Sequence, residues 1–364
     1  MSNGEISERW DPSQYPSQGP YAIIAALPRG INSKVLMVGP PESAPPDFSR
    51  NYGIPVNFTS IAAAMATIPL FDPDLPFGHP DFHDPRDQWT ILLTPGTYPE
   101  VIRLKPFVNV VGLLKEAVVI AGRLDNHWPV RAQVYLCTRS LLSNVTLHIR
   151  DDLEPDDFVV RGYDGHTYSS GPNAGNVRFL GLSNVDFQNP SGHPLQSGGL
   201  IKFDGNDWRT VIFRDVGGNY DAPKDYGIEL KGGFQNADCH FINCFFDALF
   251  LNHQHEGREG GFIHIEDCHE VHIRNSLIRV DYPLELFKAG IIPAISAVKT
   301  SSSSGSPDKQ WTHVLIEGSS LYGPGESVLN VGPNTTCFFR HSFTDSKTGT
   351  GTFKVSPPDG IGNA

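Results

Sequence analysis

A short apolar motif recurs from about residue 140 onward and constrains the fold more than any other feature of the chain. Each copy has two β-branched or aromatic residues in alternation, then Asn, Gly or Asp, and then a second apolar pair. The copies are SLLSNVTLHI, FLGLSNVDFQN, TVIFRDVGG, CHFINCFFD, VHIRNSLIR and VLIEGSSLY. Their equivalent central residues are Asn144, Asn184, Asp215, Asn243, Asn275 and Gly318. The gaps of 40, 31, 28, 32 and 43 residues indicate a constant unit that carries loops of different length.

This motif is typical of a right-handed parallel β-helix. Each coil of such a solenoid places short strands above the previous coil, and alternate side chains fill its interior. The bend between two strands needs a residue that tolerates a left-handed φ, which explains the recurring Asn and Gly. With 36 Gly and 30 Pro among 364 residues and few helical stretches, the chain is predicted to be all-β. Val110 and Ile273 are predicted to face the interior.

The chain divides into four predicted regions. Residues 1–56 are a Pro-rich N-terminal arm, and residues 57–88 hold a capping helix, NFTSIAAAMATI, and a loop rich in Pro and Asp. Asn57 or Thr59 is expected to cap the helix, which would cover the open end of the first coil. Residues 89–355 form the parallel β-helix, and residues 356–364 are a C-terminal tail.

The stretch FTSIAAAMATIP, followed by WTILLTPGTYPEVIRLKPFVNVVG, carries a family resemblance. Gly96, Tyr98 and Glu100 match a strand-and-turn element of pectin-lyase-like β-helix proteins, and residues 57–122 resemble the pectin methylesterases in particular. Viral tail-spike-like β-helix proteins are also similar. The resemblance implies the β-helix fold. The catalytic signatures of pectin methylesterases and of the glycoside hydrolases with this fold are absent, so neither active site is transferred.

Charge and composition exclude several classes of partner. The net charge is −12 and the basic residues are scattered, which argues against nucleic acid and anionic membranes. No apolar run of 18 residues is present to span a membrane, and the N-terminus lacks the pattern of a secretory signal. The five cysteines are odd in number and widely spread, without the paired spacing of a disulfide framework or a zinc ribbon. We therefore expect buried free thiols in a protein made in a reducing compartment. No cofactor is predicted.

Two neighbouring segments, FDGNDWR and YDAPKDYGIELK, are the best candidates for glycan contact. Aromatic rings flanked by carboxylates commonly hold sugars, because the ring stacks and the carboxylates accept hydroxyl hydrogen bonds. The candidate catalytic residues are Asp204, Asp207 and Asp225, and the candidate glycan-binding residues are Trp208, Arg209, Tyr220 and Tyr226. The alternative is an ordinary loop whose tryptophan packs on the coil.

Two further clusters are predicted to be surface features. His253 and His255 share one strand face and could bind zinc, but a polar surface strand is favoured and no metal is predicted. The pairs Asp151–Asp152 and Asp156–Asp157 could be glycosidase carboxylates or calcium ligands. A solvated loop tip between coils is favoured for both pairs.

Two functional hypotheses follow. The first is a structural or adhesive virion component (a tail spike, fibre or decoration protein) located in a virion or extracellular particle and made in the cytoplasm. Its Pro-rich arm would lie across a neighbouring subunit in a homotrimer, with other virion proteins as possible partners. The arm could instead pack along its own coil. The second hypothesis is a polysaccharide-active enzyme, an esterase, lyase or hydrolase with a divergent active site.

Overall fold

The computed structural model describes most of the predicted coil region and two short segments before it. The described residues are 34–39, 56–69, 88–124, 131–137, 139–154, 156–162, 180–190, 198–203, 210–222, 227–232, 238–250, 260–281, 295–301, 312–323, 329–344, 347–348 and 352–355. Among them no helix has the length and apolar character needed to cross a bilayer.

The described residues form one helix, α1 (Ile61–Thr67), and 27 strands. The strands are β1 (Lys34–Val38), β2 (Val56–Phe58), β3 (Trp89–Leu93), β4 (Gly96–Tyr98), β5 (Ile102–Arg103), β6 (Val108–Gly112), β7 (Val118–Ile120), β8 (Ala132–Leu136), β9 (Leu141–His148), β10 (Phe158–Gly162), β11 (Leu180–Gln188), β12 (Gly199–Phe203), β13 (Thr210–Ala222), β14 (Ile228–Lys231), β15 (Asp238–Ile242), β16 (Phe245–Phe250), β17 (Gly260–Glu266), β18 (Glu270–Arg274), β19 (Leu277–Asp281), β20 (Ile295–Ser301), β21 (Thr312–Glu317), β22 (Ser320–Tyr322), β23 (Leu329–Val331), β24 (Thr335–Arg340), β25 (Phe343–Thr344), β26 (Lys347–Thr348) and β27 (Thr352–Val355).

All pairings between these strands are parallel, and they build a solenoid with three faces. Nine strands, from β5 to β26, form one sheet, and the other 18 form a second sheet that bends at the repeated Asn or Gly. We call this bend the corner, and the strand segments before and after it the pre-corner and post-corner faces. The architecture is the predicted right-handed parallel β-helix, the hand that parallel crossover connections adopt.

The interior contains stacks of apolar side chains, one from each coil. On the pre-corner face the register aligns nine residues along the axis. They are Ile91, Val110, Leu142, Leu182, Phe213, Phe241, Ile273, Ile316 and Phe339. Val110 and Ile273 are fully buried in this stack, as predicted. The rings of Phe213 and Phe241 lie 5.0 Å apart, so aromatic contact adds to the burial of apolar area.

The corner residues adopt the left-handed backbone conformation that the repeat predicts. All six predicted corner residues have φ between 49° and 59°, and His341 with φ of 47° adds a seventh corner. Their side chains also bond between coils: the Asn144 amide donates to the Gly112 carbonyl, and the Asn184 amide donates to Asn144 Oδ1, both at 2.6 Å. These amides satisfy polar groups at a bend where the backbone ladder is interrupted.

One residue beyond the corner, serine hydroxyls replace the amides in the C-terminal coils. The Ser276 hydroxyl accepts from the backbone N–H of Cys244, the Ser319 hydroxyl from Ser276, and the Ser342 hydroxyl from Ser319, at 3.1–3.2 Å. Since each hydroxyl also donates to a nearby carbonyl, the bend stays saturated with hydrogen bonds.

The capping helix is present, but its cap is neither Asn57 nor Thr59. The N-cap is Ser60, whose hydroxyl accepts from the Ala63 N–H at 3.0 Å. The Glu100 carboxylate accepts from the first two helical N–H groups, of Ile61 and Ala62, at 2.9 Å each. A carboxylate 39 residues away therefore ties the cap to the coil, a contact that local capping preferences do not reveal.

The parallel sheet starts earlier than the predicted position of Trp89. Strand β1 pairs in register with β3, from Lys34 opposite Trp89 to Val38 opposite Leu93. The apolar run Val35–Val38 packs on its own coil, with Met37 and Val38 fully buried. This part of the predicted arm is therefore not free to cover a neighbouring subunit. The other apolar run, Ala22–Leu27, lies outside the described residues, and the four-region division and the homotrimer stay predictions.

Tyr98 of the opening motif joins β1 to the coil. Its ring is 1% exposed, and its hydroxyl lies 2.7 Å from the Thr94 carbonyl and 3.1 Å from that of Val38. Burial raises the pKa of Tyr98 to about 12, so it remains a hydrogen-bond donor.

We expect Tyr98→Phe to lower the free energy of unfolding by about 1–2 kcal/mol, because buried carbonyls lose their donor while the ring stays packed. Urea denaturation followed by fluorescence measures this effect. An exposed aromatic hydroxyl, removed in Tyr322→Phe, should change stability by less than about 0.5 kcal/mol. Equal effects for the two variants would contradict the role assigned to Tyr98.

Candidate functional site

The candidate site lies on the outside of the post-corner face, where alternate side chains point to solvent. Two columns of outward positions run along the axis, as the strand register dictates. The first contains Thr146, Asp186, Gly217, Phe245, Leu277, Ser320 and Phe343. The second contains His148, Gln188, Asp247, Arg279 and Tyr322. The residues between them, such as Phe187 and Phe246, are buried.

An open groove with a volume of about 800 Å³ occupies three coils of this face. It is lined by Lys115, Asn184, Asp186, Phe187, Gln188, Asn189, Asp215, Val216, Gly217, Gly218, Asn243 and Phe245. The groove forms because the outward position of its middle coil is Gly217, which carries no side chain. A Cβ there would lie 2.5 Å from the backbone oxygen of Phe245, so the strands pack closely and the groove floor is backbone.

Hydrogen-bonding and charged groups border this groove. The Lys115 ammonium lies 2.9 Å from an Asp186 carboxylate oxygen, and the Asn243 amide donates to Asp215 at 3.3 Å. Farther along the same face, Arg279 forms ion pairs with Asp247, at 3.8 Å, and with Asp281. The Asp281 carboxylate raises the pKa of Arg279, and burial lowers that of His148. Among the described residues of this face, most charged groups are carboxylates, and the two cations, Lys115 and Arg279, are paired with them.

Exposed aromatic rings lie on the same face. Phe245, at the groove, is 47% exposed, and Phe343 and Tyr322, three and two coils farther along, are 50% and 38% exposed. The last two rings are 5.3 Å apart. These rings present apolar surface to solvent, and an aromatic ring is a group on which the C–H face of a ligand can stack.

The predicted glycan-binding segments fall mostly outside the described residues. Those outside are Asp204, Asp207, Trp208, Arg209, Asp225 and Tyr226, together with the metal candidates His253 and His255. Tyr220 lies on β13 with its backbone paired to Ala248, and its side chain is outside the description. In the chain these segments flank β13, the strand that supplies the middle of the groove, and their roles stay predictions.

The acidic pairs are only partly loop residues. Asp151, Asp152 and Asp156 are exposed, as predicted, and Asp152 pairs with Arg150. Asp157 is 3% exposed and accepts hydrogen bonds from Arg131 and from the Glu154 N–H. The prediction of a solvated position is therefore wrong for Asp157, which is a buried partner of a guanidinium.

The five cysteines are free and buried, as predicted. Burial raises the pKa of Cys239, Cys244 and Cys268, so these thiols are protonated at neutral pH and act as core residues.

A second polar cluster lies on the pre-corner face. The rings of His240 and His272 are 4.7 Å apart, and His272 bonds to Glu270 at 3.1 Å. Burial lowers the pKa of His240 to about 4 and raises that of Asp238. Within the described segments no three His, Cys, Asp or Glu side chains are grouped to hold a metal. The His240 imidazole is therefore uncharged at neutral pH and stacks on the His272 ring.

The groove residues were missed in the sequence, although the repeat contains their signal. Once the corner is assigned, the second and fourth residues after it must point outward, since side chains alternate along a strand. Applied to SNVDFQN and INCFFD, this rule selects Asp186, Gln188, Phe245 and Asp247. The aromatic-and-carboxylate segments FDGNDWR and YDAPKDYGIELK, which local composition favours, contain none of these four residues.

Comparisons with known proteins concern the fold. No protein-family model matches the chain, and no curated protein is similar to it in sequence. A pectin methylesterase from carrot is 9% identical with a TM-score of 0.45, covering 88% of each chain. Pectin methylesterase PemA from Erwinia chrysanthemi is 13% identical with a TM-score of 0.39, covering 85% of this chain and 80% of that one.

The A-module of a mannuronan C-5 epimerase from Azotobacter vinelandii is 11% identical with a TM-score of 0.29, covering 75% of this chain and 92% of that one. These structures are pectin-lyase-like parallel β-helix proteins, the group that residues 57–122 resemble. At such identities the likeness concerns the fold and does not extend to an activity.

Proposed function

We propose that this chain is a glycan-binding β-helix whose ligand lies in the groove, along the axis of the solenoid. The observation that carries the proposal is the combination of a long open groove with an exposed ring, Phe245, and hydrogen-bonding side chains such as Asp186 and Gln188. Sugars have the matching chemistry, because their C–H face stacks on a ring while their hydroxyls bond to amides and carboxylates.

The coil spacing supports a linear ligand. Neighbouring parallel strands lie about 4.8 Å apart, which is close to the length of one sugar residue in an extended polysaccharide. Outward positions of successive coils, such as Asp186, Gly217 and Phe245, therefore repeat at the interval of the sugar units. The three coils of the groove suit an oligosaccharide of about three residues by this spacing, and Tyr322 and Phe343 would extend contact to a longer chain.

A polysaccharide-active enzyme would use the same groove, and the virion role would use it for adhesion. Neither finer role has support from a specific contact among the described residues. Release of reducing ends or of methanol from a bound polysaccharide distinguishes an enzyme from a binding protein.

Removing the ring of Phe245 should weaken glycan binding. A glycan array first identifies a ligand. We expect Phe245→Ala to lower the affinity for that glycan at least about fivefold, because a stacking contact is lost. The control is Lys231→Ala, which removes an exposed side chain from the nine-stranded sheet and should leave affinity unchanged. Isothermal titration measures both affinities. An unchanged affinity in Phe245→Ala, with the fold intact by circular dichroism, would place the glycan elsewhere.

A further inference from the structure

We propose that the glycan in this groove lacks carboxylate and sulfate groups, so that it is neutral or carries amino groups. The inference rests on the proposed function and concerns the class of sugar. Its basis is the set of charged side chains at the groove and the ion pairs that these side chains already form.

The described part of the post-corner face has more carboxylates than cations. Asp186 and Asp215 line the groove, and Asp247 and Asp281 continue the same face. The cations of this face are Lys115 and Arg279. Four carboxylates against two cations give this described part of the face a net charge of −2, and the whole chain carries −12. Both the face and the chain therefore repel a polyanion at long range.

Both of these cations already form ion pairs with protein carboxylates. Lys115 lies 2.9 Å from Asp186, and Arg279 contacts two aspartates. An acidic sugar that contacts Lys115, whose ammonium has three N–H donors, would place its carboxylate beside that of Asp186 on the same ammonium. Like charges at such a distance repel even in water. The attraction of the sugar carboxylate to Lys115 is therefore offset by its repulsion from Asp186.

The groove offers hydrogen-bond acceptors to ligands that carry hydroxyl or amino groups. Carboxylate oxygens of Asp186 and Asp215 accept hydrogen bonds from hydroxyl or ammonium groups. The amide of Gln188, at an exposed outward position, can donate and accept. Hydroxyl-rich and amino-bearing sugars suit this arrangement, because their donors meet carboxylates without displacing a protein ion pair.

The test uses the full-length protein on a glycan array that includes neutral, amino-bearing, uronate and sulfated chains. Isothermal titration at low and high salt then compares the best neutral binder with its counterpart oxidised at C6 to the uronate. We expect the uronate to bind at least about tenfold more weakly than the neutral glycan at low salt. This difference in affinity should become smaller at high salt, because salt screens the repulsion. The substitutions Asp186→Asn and Asp215→Asn should also reduce the difference in affinity between the uronate and the neutral glycan. Glu317→Gln, on the pre-corner face, should not.

The outcomes separate this inference from the proposed function. Array binding confined to uronate or sulfated chains, lost in Phe245→Ala, would overturn the inference while leaving glycan binding in place. A uronate that binds as tightly as its neutral counterpart at low salt would do the same. Absence of binding to every glycan on the array would overturn the proposed function, and the inference with it.

Discussion

Replacing Phe246 with Asp is expected to lower the free energy of unfolding by at least about 4 kcal/mol, whereas Phe245→Asp should lower it by less than about 1 kcal/mol. The two residues are adjacent and chemically identical. Phe246 is fully buried, with its ring 5.5 Å from that of Phe262, and Phe245 is 47% exposed at the groove. An aspartate at position 246 would lose the packed ring and place an unpaired carboxylate inside the coil.

Urea denaturation monitored by circular dichroism measures both variants. The loss in free energy of unfolding caused by Phe246→Asp should become smaller as pH falls through the raised pKa of the buried carboxyl, since the neutral acid costs less to bury. The same logic applies to Val110→Asp and Ile273→Asp in the pre-corner stack. If Phe245→Asp proved as destabilising as Phe246→Asp, the inward and outward assignment on this face would be wrong.

The second large effect is expected at Asp157. Arg131 donates to this carboxylate from Nε at 3.0 Å and also from Nη2. The side chain of Asp157 is 5% exposed. Asp152 forms the same two-bond arrangement with Arg150, at 2.7 and 2.8 Å, but is 58% exposed. The two pairs therefore differ mainly in burial.

We expect Asp157→Ala to cost about 3 kcal/mol, because Arg131 and the Glu154 N–H lose a buried acceptor. Asp152→Ala should cost less than about 1 kcal/mol, because water replaces the lost carboxylate and screens the guanidinium. Thermal and urea unfolding of these variants, of Arg131→Ala and Arg150→Ala, and of the two double variants completes a double-mutant cycle for each pair and gives its coupling energy. A coupling at Asp157 no larger than that at Asp152 would contradict a structural role for the buried pair.

Much of the fold follows from local chemistry in the sequence. The corners from β9 onward need a residue that tolerates positive φ, so Asn144 through Gly318 are recognisable from spacing and residue type. Alternation then assigns Val110 and Ile273 to the interior. These are short-range requirements, and each coil repeats them.

Contacts between distant residues could not be predicted in the same way. Nothing near Lys34–Val38 indicates a partner 55 residues later, and β1 joins the sheet because the edge of β3 would otherwise be unpaired. Similarly, Glu100 caps a helix 39 residues before it. Asp157 resembles a loop residue in sequence, and its burial depends on Arg131 being brought alongside it.

The sequence by itself determined the coil, its corners and the direction in which each strand residue points, because backbone sterics and side-chain alternation act within a few residues. Only the tertiary structure decided which outward residues meet. Asp186, Gly217 and Phe245 become neighbours because parallel register stacks coils that lie about 30 residues apart in the chain. The candidate groove is a property of that stacking, and no single segment of the sequence contains it.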